Sequence, residues 1–431
     1  MRTLVLTFAL SAFANDKVDA IFADYTKPGS PGCAVGVLQN GKTALAKGYG
    51  LADLDHQINI DARSRFYMAS VSKQFTSMAL LIAEKEGKLS LDDSVRKWVP
   101  EMPAYADGIT IRRMLDHTSG LRDNLMLWQM RGFSNESVLK QAPTLALIAR
   151  QKALNFPIGS DYNYSNSGYV LAAIALERAT GKTLAQWTKE KIHAPLEMNA
   201  SRFQDDHGDP VPNRAHGYHR RDGAFKTVDV GFDLVGSGGM YSNIEDMLKW
   251  ARNFDEQSVG KGLFDKLTTP GKLTDGRTTP GGYALGIINK DGTLSHSGGA
   301  SGYSTYLLRI PEKKLTVVCL CNIGGTPVAR LAEQTANVFG ADIKVSRTPA
   351  PAKPARKKLD APSSLAGAYW SEELETIWRI TVKDGAAQLH TDGGSFPISG
   401  EYRAGAYALK LTESGFEASS GRAHGIVFTR R

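Results

Sequence analysis

A serine with a lysine three residues further on, Ser70-Val71-Ser72-Lys73, is the first place in the chain where side-chain chemistry could begin. On one helical turn the two share a face, which brings the amine within reach of the hydroxyl. Burial disfavours the charged form of a lysine and lets it act as a base toward such a hydroxyl. The pattern alone carries little, because it recurs at Ser94/Lys97, Ser137/Lys140 and Ser258/Lys261. Context separates the first copy. Phe66-Tyr67-Met68 reads as an extended apolar approach, and Ser70 opens a helical pattern to Lys88 with Phe75, Met78, Ala79, Ile82 and Ala83 on one face. The Ser70 N–H would then be one of the unpaired donors at a helix start, where negative charge is stabilised. The competing reading is an N-cap serine with a solvated lysine nearby.

Two further stretches offer complementary groups. Tyr164-Ser165-Asn166 lies in a turn-rich approach to a helix, where a tyrosine could shuttle a proton and an amide could orient Lys73 or grip a substrate carbonyl. Its twin, Tyr241-Ser242-Asn243, is explained locally: Ser242 with Glu245 has capping-box form. The run from Leu294 to Ser304 sets His296 beside Ser297 ahead of Gly298-Gly299. A Ser-His pair, a phosphate cradle or a plain turn would each suit it, but neither a P-loop nor a G-x-G-x-x-G pattern is present. His117 and Ser119 read as a helix end and turn.

The elements that must position these residues follow from periodicity and turn chemistry. Gly32–Leu38 and Lys42–Gly48 flank Asn40-Gly41, a strong hairpin signal. Helices are expected over Thr110–Asp116, over Gly168–Thr180 with Gly181 as stop, from Thr183 with Gln186, and from Ser242. Strands are expected at Tyr283–Ile288, Ser304–Ile310 and Leu315–Cys321, and a last helix from Pro327 to Phe339. Strands at both ends with helices between predict an α/β (α+β) domain over residues 15–343. It would have one antiparallel sheet built from both termini, flanked by helices, a helical lobe, and an active site in a cleft between lobes. Residues 344–362, rich in Pro, Ala and Lys, read as a linker. Residues 363–431 show only short strand-like runs, among them Thr376–Val382 and Ala386–Thr391 around a Lys383-Asp384-Gly385 turn. That predicts a small all-β barrel, expected to be an inert companion without a catalytic constellation.

Composition bounds the function. Of 431 residues, 22% are charged and 42% hydrophobic, the balance of a globular protein with a sizeable core. The net charge of +8 owes most of its excess to Lys344, Arg347, Lys353, Arg356, Lys357 and Lys358 in the linker, which argues for a solvated tether over a nucleic-acid surface. Residues 1–14 have the form of a signal peptide ending in Ala12-Phe13-Ala14, so an exported, periplasmic or secreted protein is expected. No other segment is apolar for long enough to predict a transmembrane helix. Three cysteines cannot make a disulfide scaffold. Cys33 could bridge to Cys319 or Cys321, with buried free thiols the default expectation. No C-x-x-C or H-E-x-x-H pattern supports a metal, and no cofactor is called for.

Taken in order, Ser70-x-x-Lys73, Tyr164-x-Asn166 and His296-x-Gly298 resemble the three active-site elements of the serine β-lactamase and penicillin-binding-protein superfamily. The tyrosine is similar to that of the class C β-lactamase-like branch, and the resemblance spans about Lys17 to Gly340, including His117-Thr118-Ser119-Gly120-Leu121 and Gly236-Ser237-Gly238-Gly239-Met240. It implies a nucleophilic Ser70, acid and base roles shared by Lys73 and Tyr164, and substrate contacts by Asn166, His296 and Ser297. The oxyanion hole would be built from the N–H groups of Ser70 and Gly299. Lactamases and carboxypeptidases of this superfamily usually carry lysine where His296 stands. The departure points to the D-aminopeptidase and amidase side, some members of which carry a C-terminal barrel. The expectation is a serine hydrolase acting through an acyl-enzyme on D-amino-acid peptides, amides or small esters, with peptidoglycan fragments and oligomers within its scope. The alternatives are a β-lactamase or D-Ala-D-Ala carboxypeptidase, and a non-hydrolytic penicillin or peptidoglycan binder.

Overall fold

The computed structural model describes residues 14–133, 137–228, 230–346 and 361–431. Residues 1–13 of the predicted signal peptide and 347–360 of the predicted linker lie outside the described residues. By contact the described residues form two compact units, one from those within 1–91, 176–271 and 278–349, the other from those within 92–175, 272–277 and 350–431.

The first unit is organised by a six-stranded antiparallel sheet. Its strands are β1 (Cys33–Gln39), β2 (Lys42–Tyr49), β3 (Ile288–Lys290), β4 (Thr293–Ala300), β5 (Tyr303–Ile310) and β6 (Leu315–Cys321), in the order β3-β4-β5-β6-β1-β2. The sheet is thus built from both termini, as the sequence predicts, and β1 pairs with β6 along its whole length. Asn40 and Gly41 adopt φ +51° and +73°, the left-handed pair a two-residue hairpin turn needs. All seven residues of β6 are buried, so this central strand reads as a continuous apolar run rather than an alternating one. One face carries Val18 and Phe22 of the helix at residues 14–22 and Leu331 and Ala332 of the Val328–Val338 helix. The other lies under the Ile244–Glu256 helix, tightly enough that a Cβ on Gly36 would come within 2.6 Å of Ile244 Cγ2.

Several local expectations shift. The Thr183 capping box forms with both reciprocal hydrogen bonds. The Ile244–Glu256 helix, however, is capped by Asn243, which accepts from the Asp246 N–H, while Ser242 ends a short strand. Residues 283–287 make no strand, because Gly286 turns the chain (φ +78°) against the backbone of Lys73. Cys33 and Cys321 face each other across β1 and β6 and form a disulfide, leaving Cys319 free and buried. The free-thiol expectation is corrected by strand register, which puts Val35 rather than Cys33 opposite Cys319.

In the second unit, eight antiparallel strands close into a barrel: β7 (Gly367–Ser371), β8 (Thr376–Lys383), β9 (Ala386–Thr391), β10 (Gly394–Ser399), β11 (Arg403–Ala404), β12 (Tyr407–Thr412), β13 (Gly415–Ser420) and β14 (Ala423–Arg430). Pairing of Tyr369 with Arg430 joins first strand to last and removes the free edges. Its interior is aromatic, with Trp378 stacked on Phe428 at 4.3 Å and Phe428 on Phe416 at 5.1 Å. The barrel packs against other residues of the second unit. Trp378 Nε1 donates to Met130 O at 3.1 Å, and Glu373 makes a buried ion pair with Arg122. No helix among the described residues is long and apolar enough to cross a membrane.

Candidate active site

In the first unit, Ser70 sits in a 3₁₀ turn, Ala69–Ser72, that leads into the Lys73–Lys85 helix, so the α-helix proper starts three residues later than expected. Ala69 is held at φ +45°, a conformation that costs an ordinary residue about 1 kcal/mol or more and recurs where a functional side chain must be presented. Lys73 is fully buried. Its Nζ donates to Ser70 Oγ at 3.1 Å and to Ser237 O at 2.6 Å. The Gly236–Gly239 stretch serves this turn as a whole. Gly236 O accepts from Thr76 Oγ1 at 2.8 Å, and the Gly239 N–H donates to Tyr67 Oη at 3.0 Å.

Strand β4 runs beside this turn. Thr305 Oγ1, from the paired β5, donates to Met68 O at 2.9 Å. A Cβ on Gly298 would lie 2.4 Å from Met68 O and 3.0 Å from the Ser70 nitrogen, so only glycine lets the strand come this close. Ser297 and Gly299 occupy exposed positions on β4, while His296 and Gly298 alternate inward. The His296 Nδ1–H donates to Ser297 O at 2.7 Å, which leaves Nε2 to accept from Tyr283 Oη at 3.0 Å. Burial, and secondarily the Lys73 charge, push its pKa down to about 3 against the opposing hydrogen bond to Ser297. The imidazole is therefore neutral at physiological pH and offers no cation for a substrate carboxylate.

The second unit holds Tyr164 and Asn166, at the start of the Asn166–Thr180 helix. Asn166 donates twice to one oxygen of Asp123, from N at 2.7 Å and from Nδ2 at 2.9 Å. The other oxygen caps the Asn124–Met130 helix through the N–H groups of Leu125 and Met126. His117, in the turn after the Ile111–Leu115 helix, accepts from the Ser165 N–H at 3.1 Å and sets its ring 4.2 Å from that of Tyr164. The helix-end reading of His117 holds, and it also forms the floor under the tyrosine. Ser119 Oγ accepts from the Leu121 N–H at 3.3 Å, a local turn contact. Of the other S-x-x-K copies, Ser94 caps a short helix by accepting from the Arg96 N–H.

Asp123 and Tyr283 were not singled out from sequence. An Asp before a helix is a readable cap signal, but its bond to Asn166 joins positions 43 residues apart and leaves no local trace. Among the described residues, Cys33, Cys319 and Cys321, and Asp206, His207 and Asp233, are close enough to share an ion. Two of the first set are committed to the disulfide, and the second contains none of the predicted site residues.

The comparisons agree with this architecture. A family model described as Beta-lactamase matches residues 18–340. The chain belongs to the Beta-lactamase family. Within that family it is 28% identical over 370 residues to penicillin-binding protein 4* of Bacillus subtilis, covering 80% of each chain. It is 26% identical over 365 residues to a D-aminopeptidase of Gluconobacter oxydans, covering 83% of this chain and 66% of that one, slightly under two thirds of its length. Among solved structures, an octameric penicillin-binding protein homologue from Pyrococcus abyssi superposes with a TM-score of 0.66 at 23% identity, covering 96% and 95% of the two chains. The D-amino acid amidase of Ochrobactrum anthropi SV3 gives 0.63 at 21% identity over 76% of this chain and 98% of its own. These structural likenesses bear on the fold, including, for the first, the residues that form the barrel.

Proposed function

We propose that this protein is an exported serine hydrolase working through an acyl-enzyme on Ser70, with D-amino-acid peptides or amides, peptidoglycan fragments among them, or small esters as substrates. The observation that carries the reading is the buried Lys73 amine, fixed by Ser237 O at 2.6 Å and within 3.1 Å of Ser70 Oγ. A binder has no use for a nucleophile with a proton acceptor held this way. In its neutral form, which burial favours, Lys73 takes the Ser70 proton as Oγ attacks the substrate carbonyl carbon. The N–H groups of Ser70 and Gly299 receive the developing oxyanion, each such donor contributing about 2.7–4 kcal/mol to the barrier. Collapse expels an amine or alcohol, protonated by Tyr164. The same group then draws a proton from the water that attacks the acyl carbon, and as the C–Oγ bond breaks Lys73 returns its proton to Ser70 Oγ, so the acid leaves and the site is restored. Asn166 binds the substrate amide, and Ser297 contributes through its exposed position on β4.

His296 sets the preference. A neutral, buried imidazole gives no counter-charge for the carboxylate of a β-lactam or a D-Ala-D-Ala terminus, whereas an amide or ester needs none. The D-aminopeptidase relative supports the same class. Export is supported by the apolar run at residues 1–14 and by the Cys33–Cys321 disulfide, a bond that persists in oxidising compartments.

The test is a substrate panel of a D-aminoacyl anilide, a D-Ala-D-Ala peptide, a chromogenic cephalosporin and a short-chain nitrophenyl ester, with a fluorophosphonate label read by intact mass. The Ser70→Ala variant is expected to lose turnover and labelling together; full retention of either refutes the nucleophile. Dominance of the cephalosporin over the panel would refute the role given to His296.

A further inference from the structure

The β13–β14 turn of the barrel carries one arginine into the segment that holds Tyr164 and Asn166. Arg422 is fixed there by its backbone, since Arg422 O accepts from the Asp123 N–H at 3.1 Å and from Asn155 Nδ2 at 2.9 Å. Asn155 Oδ1 in turn accepts from the His424 N–H at 3.0 Å. So held, the guanidinium donates to Asp123 Oδ1 at 3.1 Å and sets its Cζ 5.2 Å from the centre of the Tyr164 ring. Asp123 has no exposed side-chain surface, and its second oxygen is the one that receives both Asn166 donors.

We infer that Arg422 is a positioning residue for the Tyr164-Ser165-Asn166 element, which makes the barrel part of the hydrolytic machinery. The inference rests on the serine-hydrolase reading above. A buried carboxylate needs a compensating charge to hold its place. A guanidinium can supply one while its planar face covers an aromatic ring, which the point charge of a lysine does not reproduce. One side chain thereby ties the two groups together: Tyr164 through its ring, and Asn166 through Asp123. Without it the carboxylate loses its counter-charge and the ring loses its cover. A misplacement of about 1 Å at such groups costs on the order of 100-fold in rate.

The experiment compares full-length wild-type, R422Q and R422K chains. It measures kcat and KM on the best panel substrate, the rate of fluorophosphonate labelling at Ser70, and thermal melting. R422Q is expected to label at close to the wild-type rate, because Ser70 and Lys73 are untouched, while kcat falls about 10–100-fold. R422K, which keeps the charge but not the flat fork, is expected to fall between the two in kcat and to melt near wild type. Turnover of R422Q within twofold of wild type overturns the inference. So does an R422K whose kcat equals that of R422Q, because restored charge would then do nothing for the element. If R422Q does not fold, R422K decides alone: wild-type kcat overturns the inference, and a partial loss in a chain of normal melting supports it. Failure of the underlying reading shows separately, as a wild-type chain whose turnover survives Ser70→Ala.

Discussion

His193 closes a short π-helical turn over Lys189–His193 and is 2% exposed, with neither ring nitrogen hydrogen-bonded. Its neighbours are the rings of Phe75 and Phe203. Burial alone pushes its pKa down to about 4, so the folded chain holds it neutral where the unfolded chain, titrating near 6.5, would protonate it. Between those values the unfolded state binds more protons, and stability falls as the pH falls. Integrating the difference gives a loss of about 2 kcal/mol between pH 7 and pH 5 and about 3 kcal/mol once the pH is below 4. For a cooperative unit of 150–250 residues, 2 kcal/mol corresponds to roughly 4–8 °C in Tm. Replacing His193 with Leu keeps an apolar side chain in an apolar site and removes the proton. The measurement is Tm by calorimetry at pH 7 and pH 5 for both chains. His193→Leu is expected to lose about 4–8 °C less than wild type on acidification. His296, whose pKa is depressed to about 3, adds an acid loss of the same sign in both chains and cancels in the comparison. Equal acid losses in the two chains would refute the reasoning, because a buried neutral histidine must give up stability to acid.

Two other substitutions test separate joints of the structure. Gly298→Ala drives a methyl to 2.3 Å from Thr305 Oγ1 and 2.4 Å from Met68 O, so β4 must withdraw from the Ser70 turn. Turnover is expected to fall at least 100-fold, and an active Gly298→Ala enzyme would disprove the close approach. Glu373→Ala strands Arg122, whose side chain is 3% exposed, without its counter-charge, and also removes the acceptor of the Lys152 N–H. A loss of about 3–5 kcal/mol is expected in denaturant unfolding, and a change below about 1 kcal/mol would mean that the pair is solvated.

What the sequence made legible is what local chemistry decides. Asn40-Gly41 announces its hairpin because only a left-handed pair closes a two-residue turn, and the Thr183–Gln186 box announces its helix. The apolar runs of β1 and β6 predicted a sheet drawn from both termini. The order of the three motifs carried the family, and with it the class of hydrolase. What stayed hidden depends on register and burial. Ser242 and Asn243 are equally good caps on paper, and the backbone angle at Asn243 makes the choice. The Cys33–Cys321 pairing requires knowing which residue of β6 stands opposite which of β1. His296 was recognised as the departure from a lysine, but its pKa follows from burial beside Lys73, which no pattern encodes.

How the barrel is built into the second unit was the least legible feature of the fold. Its strands contain no catalytic residue pattern, so nothing in residues 363–431 pointed beyond a separate module. The evidence lay instead at Arg122 and Asp123, two adjacent residues of opposite charge, both buried within the second unit. Each is answered by the barrel with the opposite sign, Arg122 by Glu373 and Asp123 by Arg422. A lone buried charge costs several kcal/mol, and a chain that ended before the barrel would leave two of them side by side. The barrel therefore does more than cover a surface. Through Arg422 it gives the buried Asp123 carboxylate an ion-pair partner on one oxygen while the other faces Asn166, the residue proposed to bind the substrate amide.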